Sequence, residues 1–232
     1  RLLRRQRQMC IRDRQGTEIS ILSNKTPAEA RRCIEQREEA ALANLGLEFI
    51  EGDAASAAAY GAIDLRTFQS IVVLADDRGD KGDVDTRTLR ILLRLSDRRK
   101  YDKQLAHTVV ELVDEANRDL IAGLGVDDVI ISPGVVSAQL AQIARQDVLG
   151  PIYRELLSAG GVEISLRPAG DYVALDTDCH YDDLINAAQQ KLEIALGLRR
   201  KHGEVLLNPS RDKTWRLGAH DLVIVLAQQL YQ

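Results

Sequence analysis

The pattern of apolar and polar residues along the first two thirds of the chain predicts an α/β fold. A continuous apolar run at 70–75 ends abruptly in Asp76 and Asp77, and a second run follows at 108–113. Short apolar runs rich in β-branched residues are typical of buried strands in a parallel sheet. The segment 84–95 between them has the apolar spacing of a helix. This unit predicts a right-handed βαβ crossover.

The same alternation extends on both sides of this unit. Strands are predicted at 18–22, 47–51 and 128–132, with helices between them and a last helix at 136–148. The pattern predicts a Rossmann-like, doubly wound parallel sheet over residues 15–149. In the usual strand order of that fold, the strand that precedes 18–22 lies between 18–22 and 70–75, and we expect it to be missing here.

Beyond Gly150-Pro151 the pattern changes. Strands predicted at 162–166, 172–175, 204–209 and 221–226 surround one helix predicted at 183–196. This pattern of several strands and one helix indicates a small α+β subdomain over residues 150–232.

Charge and cysteine content narrow the class of protein. The formal net charge is −4, although six arginines and one aspartate occupy the first fourteen residues. An acidic body argues against a nucleic-acid partner, which would need a clustered basic face. The three cysteines are far apart and indicate reduced, cytosolic thiols. Residues 1–14 resemble translated adapter sequence, with a basic arm or a targeting segment as the alternative. We expect them to be disordered, and the native chain to begin near Gln15 inside a longer protein.

Residues with ligand chemistry follow the predicted strands. Asp53 follows the strand at 47–51, and Ala75 and Asp76 close the strand at 70–75. Ligands of such sheets bind at the carboxyl ends of the strands, so these three residues are the candidate nucleotide-binding set. Asp53 could instead cap the next helix. Neither the dinucleotide fingerprint G-x-G-x-x-G nor a phosphate loop is present. The position normally held by a ribose-binding acid carries Ser23 and Asn24, which makes standard NAD recognition doubtful.

The acidic loop at 76–85 has a second interpretation. It contains five aspartates and two glycines, so Asp76, Asp77 and Asp80 could offer oxygen ligands to a hard cation such as Ca²⁺. The alternative is a solvated loop whose aspartates cap and complement the following helix. The isolated histidines and the absence of a hydrolase elbow give no catalytic constellation, so we expect no enzymatic activity.

Several of these segments together resemble the cytoplasmic ligand-sensing (RCK-type) region of ion channels, closest to the CASTOR/POLLUX/SYM8 group and its bacterial relatives. The resemblance covers about 15–227 and is carried by 52–54, 70–77, 85–93, 107–117, 129–136, 205–209 and 218–225.

The resemblance implies a regulatory gating-ring domain on the cytoplasmic side of the cell membrane. It implies a homo-oligomer, a tetrameric ring in the family, and a membrane pore elsewhere in the same full-length chain. The helices at 136–148 and 152–159 would lie near subunit contacts. The implied function is sensing of a ligand coupled to monovalent or divalent cation transport. Ca²⁺, which the acidic loop suggests, and NAD(H) are the candidate ligands. The alternative is a nicotinamide-nucleotide-binding subunit of a potassium transporter or an NAD(P)-dependent enzyme.

Overall fold

The computed structural model describes residues 2–5, 17–42, 45–61, 63–76, 81–99, 106–146, 148–157 and 162–228. The chain divides into two compact units, Arg1–Arg145 and Gln146–Gln232. The change of unit falls after Arg145, whereas the sequence predicts it near Leu149. Each unit has its own hydrophobic core.

The first unit is built on a six-stranded sheet. Its elements are β1 (Leu2–Arg5), β2 (Thr17–Ser23), α1 (Pro27–Leu42), β3 (Leu45–Glu51), β4 (Phe68–Val73), α2 (Lys81–Arg99), β5 (His107–Leu112), β6 (Asp128–Ile131) and α3 (Ser132–Arg145). The strand order is β3-β2-β1-β4-β5-β6. β2 pairs with β3, β4 with β5 and β5 with β6, all in parallel. The predicted α/β class and the parallel pairing of the two central apolar runs are confirmed.

β1 occupies the position predicted for the missing strand. It lies between β2 and β4 and is antiparallel to both, with Leu2 opposite Ile21 on one side and Val72 on the other. The expected disorder of residues 1–14 therefore does not extend to Leu2–Arg5, while residues 6–14 lie outside the described part of the chain. The physical reason is that β2 and β4 would otherwise each present an unpaired backbone edge.

The core of the first unit explains why the apolar runs form central strands. Ile71 and Val73 of β4 and Val110 and Leu112 of β5 are at most 3% exposed. Helix α2 covers them with an apolar stripe that includes Ile91 and Leu92, each 1% exposed. Burial of an aliphatic side chain of this size contributes about 1.5–3 kcal/mol, so β4, β5 and α2 form the stable centre that positions the loops around them.

The second unit is a small α+β fold, as predicted. Its elements are α4 (Leu149–Leu157), β7 (Val162–Pro168), β8 (Asp178–His180), α5 (Tyr181–Gln190), β9 (Glu193–Arg199), β10 (Val205–Leu207), β11 (Thr214–Arg216) and β12 (Leu222–Gln228). β10, β9, β12 and β7 form an antiparallel sheet in that order, and β11 pairs with β8.

Two predicted elements of the second unit are wrong. Residues 172–175 are not a strand, because the chain turns through a short 3₁₀ helix at Ala169–Asp171 and hydrogen-bonds back on itself. The helix predicted at 183–196 ends at Gln190, and β9 begins at Glu193. Leu192 has a φ of 60° and makes the turn between them without a glycine. Pairing with β12 overrides the helical preference of the residues in β9.

A buried carboxylate holds together the loops of the second unit. Asp221 accepts hydrogen bonds from the backbone N–H groups of Lys201 at 2.8 Å and Gly218 at 2.9 Å, and Arg200 lies 3.3 Å away. Burial alone would raise the pKa of Asp221. The two N–H groups and the guanidinium more than offset it, so the pKa lies below its usual value.

Candidate ligand-binding crevice

The candidate site lies at the carboxyl ends of β2, β3 and β4 in the first unit. The strand order reverses at this point of the sheet. β3 lies outside β2 on one side, and β5 and β6 lie outside β4 on the other. In open α/β sheets the loops separate at such a point and leave a crevice for a ligand. The predicted residues Asp53, Ala75 and Asp76 all follow strands that end at this edge.

Arg87 on α2 is the residue that connects these loops. One of its terminal nitrogens, Nη2, lies 3.1 Å from Asp53 Oδ1, and the other, Nη1, lies 3.9 Å from Asp76 Oδ2. The side chains of Arg87, Asp53 and Asp76 are 33%, 46% and 24% exposed. A guanidinium between two partly exposed carboxylates links the ends of β3 and β4 through α2.

Asn24 completes this cluster from the end of β2. With its amide oriented to satisfy both atoms, its nitrogen donates to the Gly52 carbonyl at 3.0 Å and its oxygen accepts from Arg87 Nη2 at 2.6 Å. The third donor position of Arg87, Nε, is buried and has no hydrogen-bond partner among the described residues. An unsatisfied buried donor costs free energy, so an additional acceptor oxygen at Arg87 Nε would be favourable.

Asp53 does not cap the next helix, and its predicted contact with a nucleotide stays a prediction. Its Oδ1 atom accepts the Ala55 N–H at 3.1 Å, which fixes the turn after β3, and the same oxygen faces Arg87. The first short helix after this turn, at Ala57–Tyr60, is capped by Ser56 instead. Asp53 therefore shapes its loop and presents a carboxylate to the crevice at the same time.

Ala75 contributes its backbone N–H to the crevice, and this N–H already makes a hydrogen bond. Its N–H donates to Glu111 Oε2 at 3.0 Å, and the other oxygen of Glu111 accepts from the Ser132 hydroxyl. Glu111 thus joins the end of β4 to the start of α3. A ligand that bound the Ala75 N–H would have to displace this carboxylate.

Asp85 holds α2 in place beneath the crevice. It is 0% exposed, and its two oxygens accept from the Val113 N–H at 2.9 Å, the Asp114 N–H at 3.0 Å and Asn117 Nδ2 at 2.8 Å. The sequence suggested only an interaction of Asp85 with the helix dipole. Its actual role is to join α2 to the loop after β5, two residues before Arg87.

The predicted metal site at Asp76, Asp77 and Asp80 is not tested by the described part of the chain. Asp76 lies in the crevice, but Asp77 and Asp80 are outside the described residues. Within the described ranges, no group of three or more His, Cys, Asp or Glu side chains is arranged to hold a metal ion. A cation site formed by Asp76, Asp77 and Asp80 stays a prediction.

The standard dinucleotide mode does not fit the residues that are present. Asn24 stands in the position of the ribose-binding acid, and its side-chain amide hydrogen-bonds to Gly52 and Arg87. The Ala75 N–H is occupied by Glu111. The slot in which a glycine-loop strand would lie is filled by β1, which runs antiparallel. We therefore derive no nucleotide contact from this geometry.

Sequence comparison relates the chain to plant ion channels. It is 26% identical over 220 residues to ion channel POLLUX of Lotus japonicus, covering 80% of this chain and 24% of that protein. Ion channel CASTOR of Lotus japonicus is 23% identical over 219 residues, with 81% and 26% covered. Ion channel DMI1 of Medicago truncatula is 26% identical over 223 residues, with 80% and 25% covered. The chain thus spans about a quarter of the length of the curated relatives it matches.

The resemblance to the CASTOR/POLLUX group is confirmed by these relatives. No family model matches the chain. Among solved structures, the RCK domain of the GsuK channel matches with a TM-score of 0.38 and 13% identity over 90% of this chain and 43% of that one. A GsuK channel bound to NAD matches with a TM-score of 0.35 and 12% identity over 90% and 33%. Likeness at this level transfers no property of those channels to this chain.

No helix among the described residues is both long enough and apolar enough to cross a membrane.

Proposed function

We propose that this chain is a regulatory segment of a CASTOR/POLLUX-like ion channel, acts on the cytoplasmic side of the membrane and has no enzymatic activity. The observation that carries the proposal is the alignment of about 80% of the chain with one quarter of each of several ion channels. The pore would lie in another part of the full-length protein. The homo-oligomer, a tetrameric ring, is part of the same proposal.

The crevice around Arg87 is the proposed sensing site. Two carboxylates and one guanidinium meet there, and both Asp53 and Asp76 are partly exposed. A divalent cation such as Ca²⁺ would bind carboxylate oxygens and compete with Arg87 for them. Binding would release Arg87 from one strand end, so that the loops after β3 and β4 could rearrange around α2. The NAD(H) alternative is retained only because the strand order is that of nucleotide-binding sheets.

Thermal melting of the 232-residue chain tests the sensing site. A ligand that binds only the folded state raises the melting temperature, by about 1.4 kcal/mol of stability at a concentration ten times Kd. We expect millimolar Ca²⁺ to stabilise the protein and Asp76→Asn to remove most of the shift. Asp64→Asn is the matched control, because Asp64 is exposed and pairs with Arg66 outside the crevice.

The channel function needs a separate experiment. The aligned segment of Lotus japonicus POLLUX is replaced by this chain, and currents are recorded with and without the crevice substitution Arg87→Ala. We expect the chimera to conduct and Arg87→Ala to alter its response to Ca²⁺, whereas exposed Arg90→Ala has no effect. A chimera that folds and reaches the membrane but never conducts contradicts the channel proposal. An unchanged response in Arg87→Ala contradicts only the proposed site. NADH titration of the same proteins tests the alternative.

A further inference from the structure

The second unit contains a cavity of about 380 Å³ between helix α5 and strand β9. Tyr181, Ile185 and Gln189 line it from α5, and their spacing of four residues places them on one face of the helix. Residues 193–196 of β9 line the opposite wall. The Tyr181 hydroxyl donates to the Ala195 carbonyl at 2.9 Å and holds the two walls together. The volume lies within the range of small-molecule sites, roughly 300–1,000 Å³.

The β9 wall of the cavity has an open backbone edge. β12 pairs with one edge of β9 from residue 193 to residue 199, whereas β10 pairs with the other edge only at 197–199. The chain leaves β9 at Asn208, whose N–H donates to the Leu196 carbonyl at 2.8 Å and whose φ is 45°. Within the described residues of the second unit, 193–195 therefore have no strand paired on this side. Extended peptides hydrogen-bond to backbone edges of this kind.

One end of the cavity carries a negative charge. The Glu193 side chain is 12% exposed, and the Tyr172 hydroxyl donates to its Oε2 atom. Burial and this hydrogen bond raise the pKa of Tyr172 far above its usual value, so the hydroxyl stays protonated as the donor. Arg167 Nε lies 3.6 Å from Oε1 of Glu193, which is longer than a hydrogen bond. Oε1 therefore has capacity for a donor, and an ammonium group is one that a carboxylate binds strongly.

The other end of the cavity carries a positive charge. Arg211 lines it beside Asn208, and its Nη1 atom lies 3.3 Å from Asp182 Oδ1. A guanidinium has five N–H donors, so this one exposed aspartate leaves donors for a second carboxylate. Glu193 and Leu196 are three residues apart on β9, which separates the two ends of the cavity by roughly 10 Å. The cavity is thus polar and oppositely charged at its ends.

We propose that this cavity binds an apolar dipeptide, with its ammonium group at Glu193, its carboxylate at Arg211 and its backbone along the open edge of β9. Two extended residues span about 7 Å, which matches the distance between the two ends once both side chains reach inward. The apolar side chains of the dipeptide would contact Ile185 and Leu196 between the charged ends. A single amino acid holds its two charges too close together to reach both ends. The proposal goes beyond the proposed function and depends neither on the pore nor on the crevice.

Isothermal titration calorimetry of the 232-residue chain with the dipeptide Leu-Leu tests the proposal. We expect binding with one peptide per chain. The N-acetylated and the C-amidated forms of Leu-Leu should each bind at least about tenfold more weakly, because each lacks one of the two charges. Free leucine should also bind more weakly than Leu-Leu. Absence of Leu-Leu binding up to about 10 mM would overturn the proposal, and so would equal binding by the acetylated and amidated forms.

Substitutions at the two ends of the cavity locate the binding site. Arg211→Ala should weaken Leu-Leu binding at least about tenfold and leave the affinity for the amidated peptide unchanged, because that peptide has no carboxylate. Arg216→Ala is the matched control. Arg216 is 67% exposed and lies 3.2 Å from Asp178, whereas Arg211 is 66% exposed, and Arg216 does not line the cavity. Glu193→Gln should likewise abolish the preference for Leu-Leu over its acetylated form.

Melting followed by Trp215 fluorescence shows whether each variant retains the fold of the second unit. Because Arg211 is exposed, Arg211→Ala removes no core contact and remains a valid test even if Glu193→Gln does not fold. Unchanged Leu-Leu affinity in Arg211→Ala would overturn the proposal. An equal loss of affinity in Arg216→Ala would overturn it as well, because the effect would then come from net charge rather than from the cavity.

Discussion

Removal of the Asp85 carboxylate should destabilise the first unit more than most single substitutions. Asp85 is fully buried and accepts three hydrogen bonds, two from the backbone N–H groups of Val113 and Asp114 and one from Asn117. Asp85→Ala leaves all three donors without their acceptor. Asp85→Asn keeps the size and one oxygen, but points an NH₂ group toward donors.

The expected magnitude follows from the number and kind of these bonds. Hydrogen bonds to a charged acceptor contribute about 1.5–3 kcal/mol each, and the loop after β5 recovers part of this by contacting water. We expect Asp85→Ala to lower the free energy of unfolding by about 4 kcal/mol and Asp85→Asn by about 2 kcal/mol. For a unit of this size, the larger value corresponds to a fall in melting temperature of roughly 10–15 °C.

The two-unit architecture supplies an internal control for the assay. The single tryptophan, Trp215, is 7% exposed in the core of the second unit. Far-UV circular dichroism reports both units, while Trp215 fluorescence reports the second. Urea unfolding should show a loss for Asp85→Ala by circular dichroism with little change in the fluorescence transition. Arg90→Ala on the exposed side of α2 should stay within about 0.5 kcal/mol.

A small effect would refute the reasoning. If Asp85→Ala costs less than about 1 kcal/mol, then water or rearranged neighbours satisfy the three donors, and the carboxylate does not hold α2 in place. If the two transitions shift together, the units unfold cooperatively, and the loss must be assigned by a second probe placed in the first unit.

Three further predictions concern other parts of the chain. The pKa of Asp221 is lower in the folded protein than in the unfolded chain, where it is about 4, so the carboxylate stabilises the fold above pH 4 and loses this effect as the pH falls through the folded pKa. Acid unfolding followed by Trp215 fluorescence should therefore depend on pH, and Asp221→Asn should weaken that dependence. Gly197→Ala should destabilise the second unit by more than about 2 kcal/mol, because its Cβ would lie 2.0 Å from the Leu206 carbonyl oxygen; Gly150→Ala, with open space, is the control in the same denaturation experiment. Deletion of residues 1–14 should expose the facing edges of β2 and β4 and increase light scattering on heating. Equal scattering by the full chain and the deletion variant would contradict this prediction.

The central part of the fold could be predicted because its signals are local and strong. β4 and β5 are continuous apolar runs, and the strand–helix alternation around them leaves few possible topologies. The end of α5 could not be predicted, because the residues after Gln190 are good helix formers and the chain turns at Leu192 rather than at a glycine. Pairing of β9 with β12 decides that boundary, and such pairing is not visible in a single sequence.

The candidate site was predicted in part. Asp53 and Asp76 follow apolar runs, so strand ends locate them. Arg87 was missed, because an arginine on an amphipathic helix is equally compatible with solvent, and only the packing of α2 on the sheet determines which way it points. Glu111 was missed for a similar reason, since a single glutamate in an apolar strand gave no sign that it would join β4 to α3.

Helix α2 is the fixed support of the crevice in the first unit. Arg87 faces the loops after β3 and β4, and Asp85, two residues earlier, is anchored to the loop after β5. A ligand that changes the Arg87 contacts therefore acts on a helix whose position is fixed by a different loop. The apolar stripe of α2, buried against β4 and β5, resists sliding, because a shift would open cavities in a close-packed core. The softer response is rearrangement of the loop ends around Arg87 with α2 as the fixed support. A regulatory signal from the proposed sensing site would then leave through those loops, while the core beneath them keeps its packing.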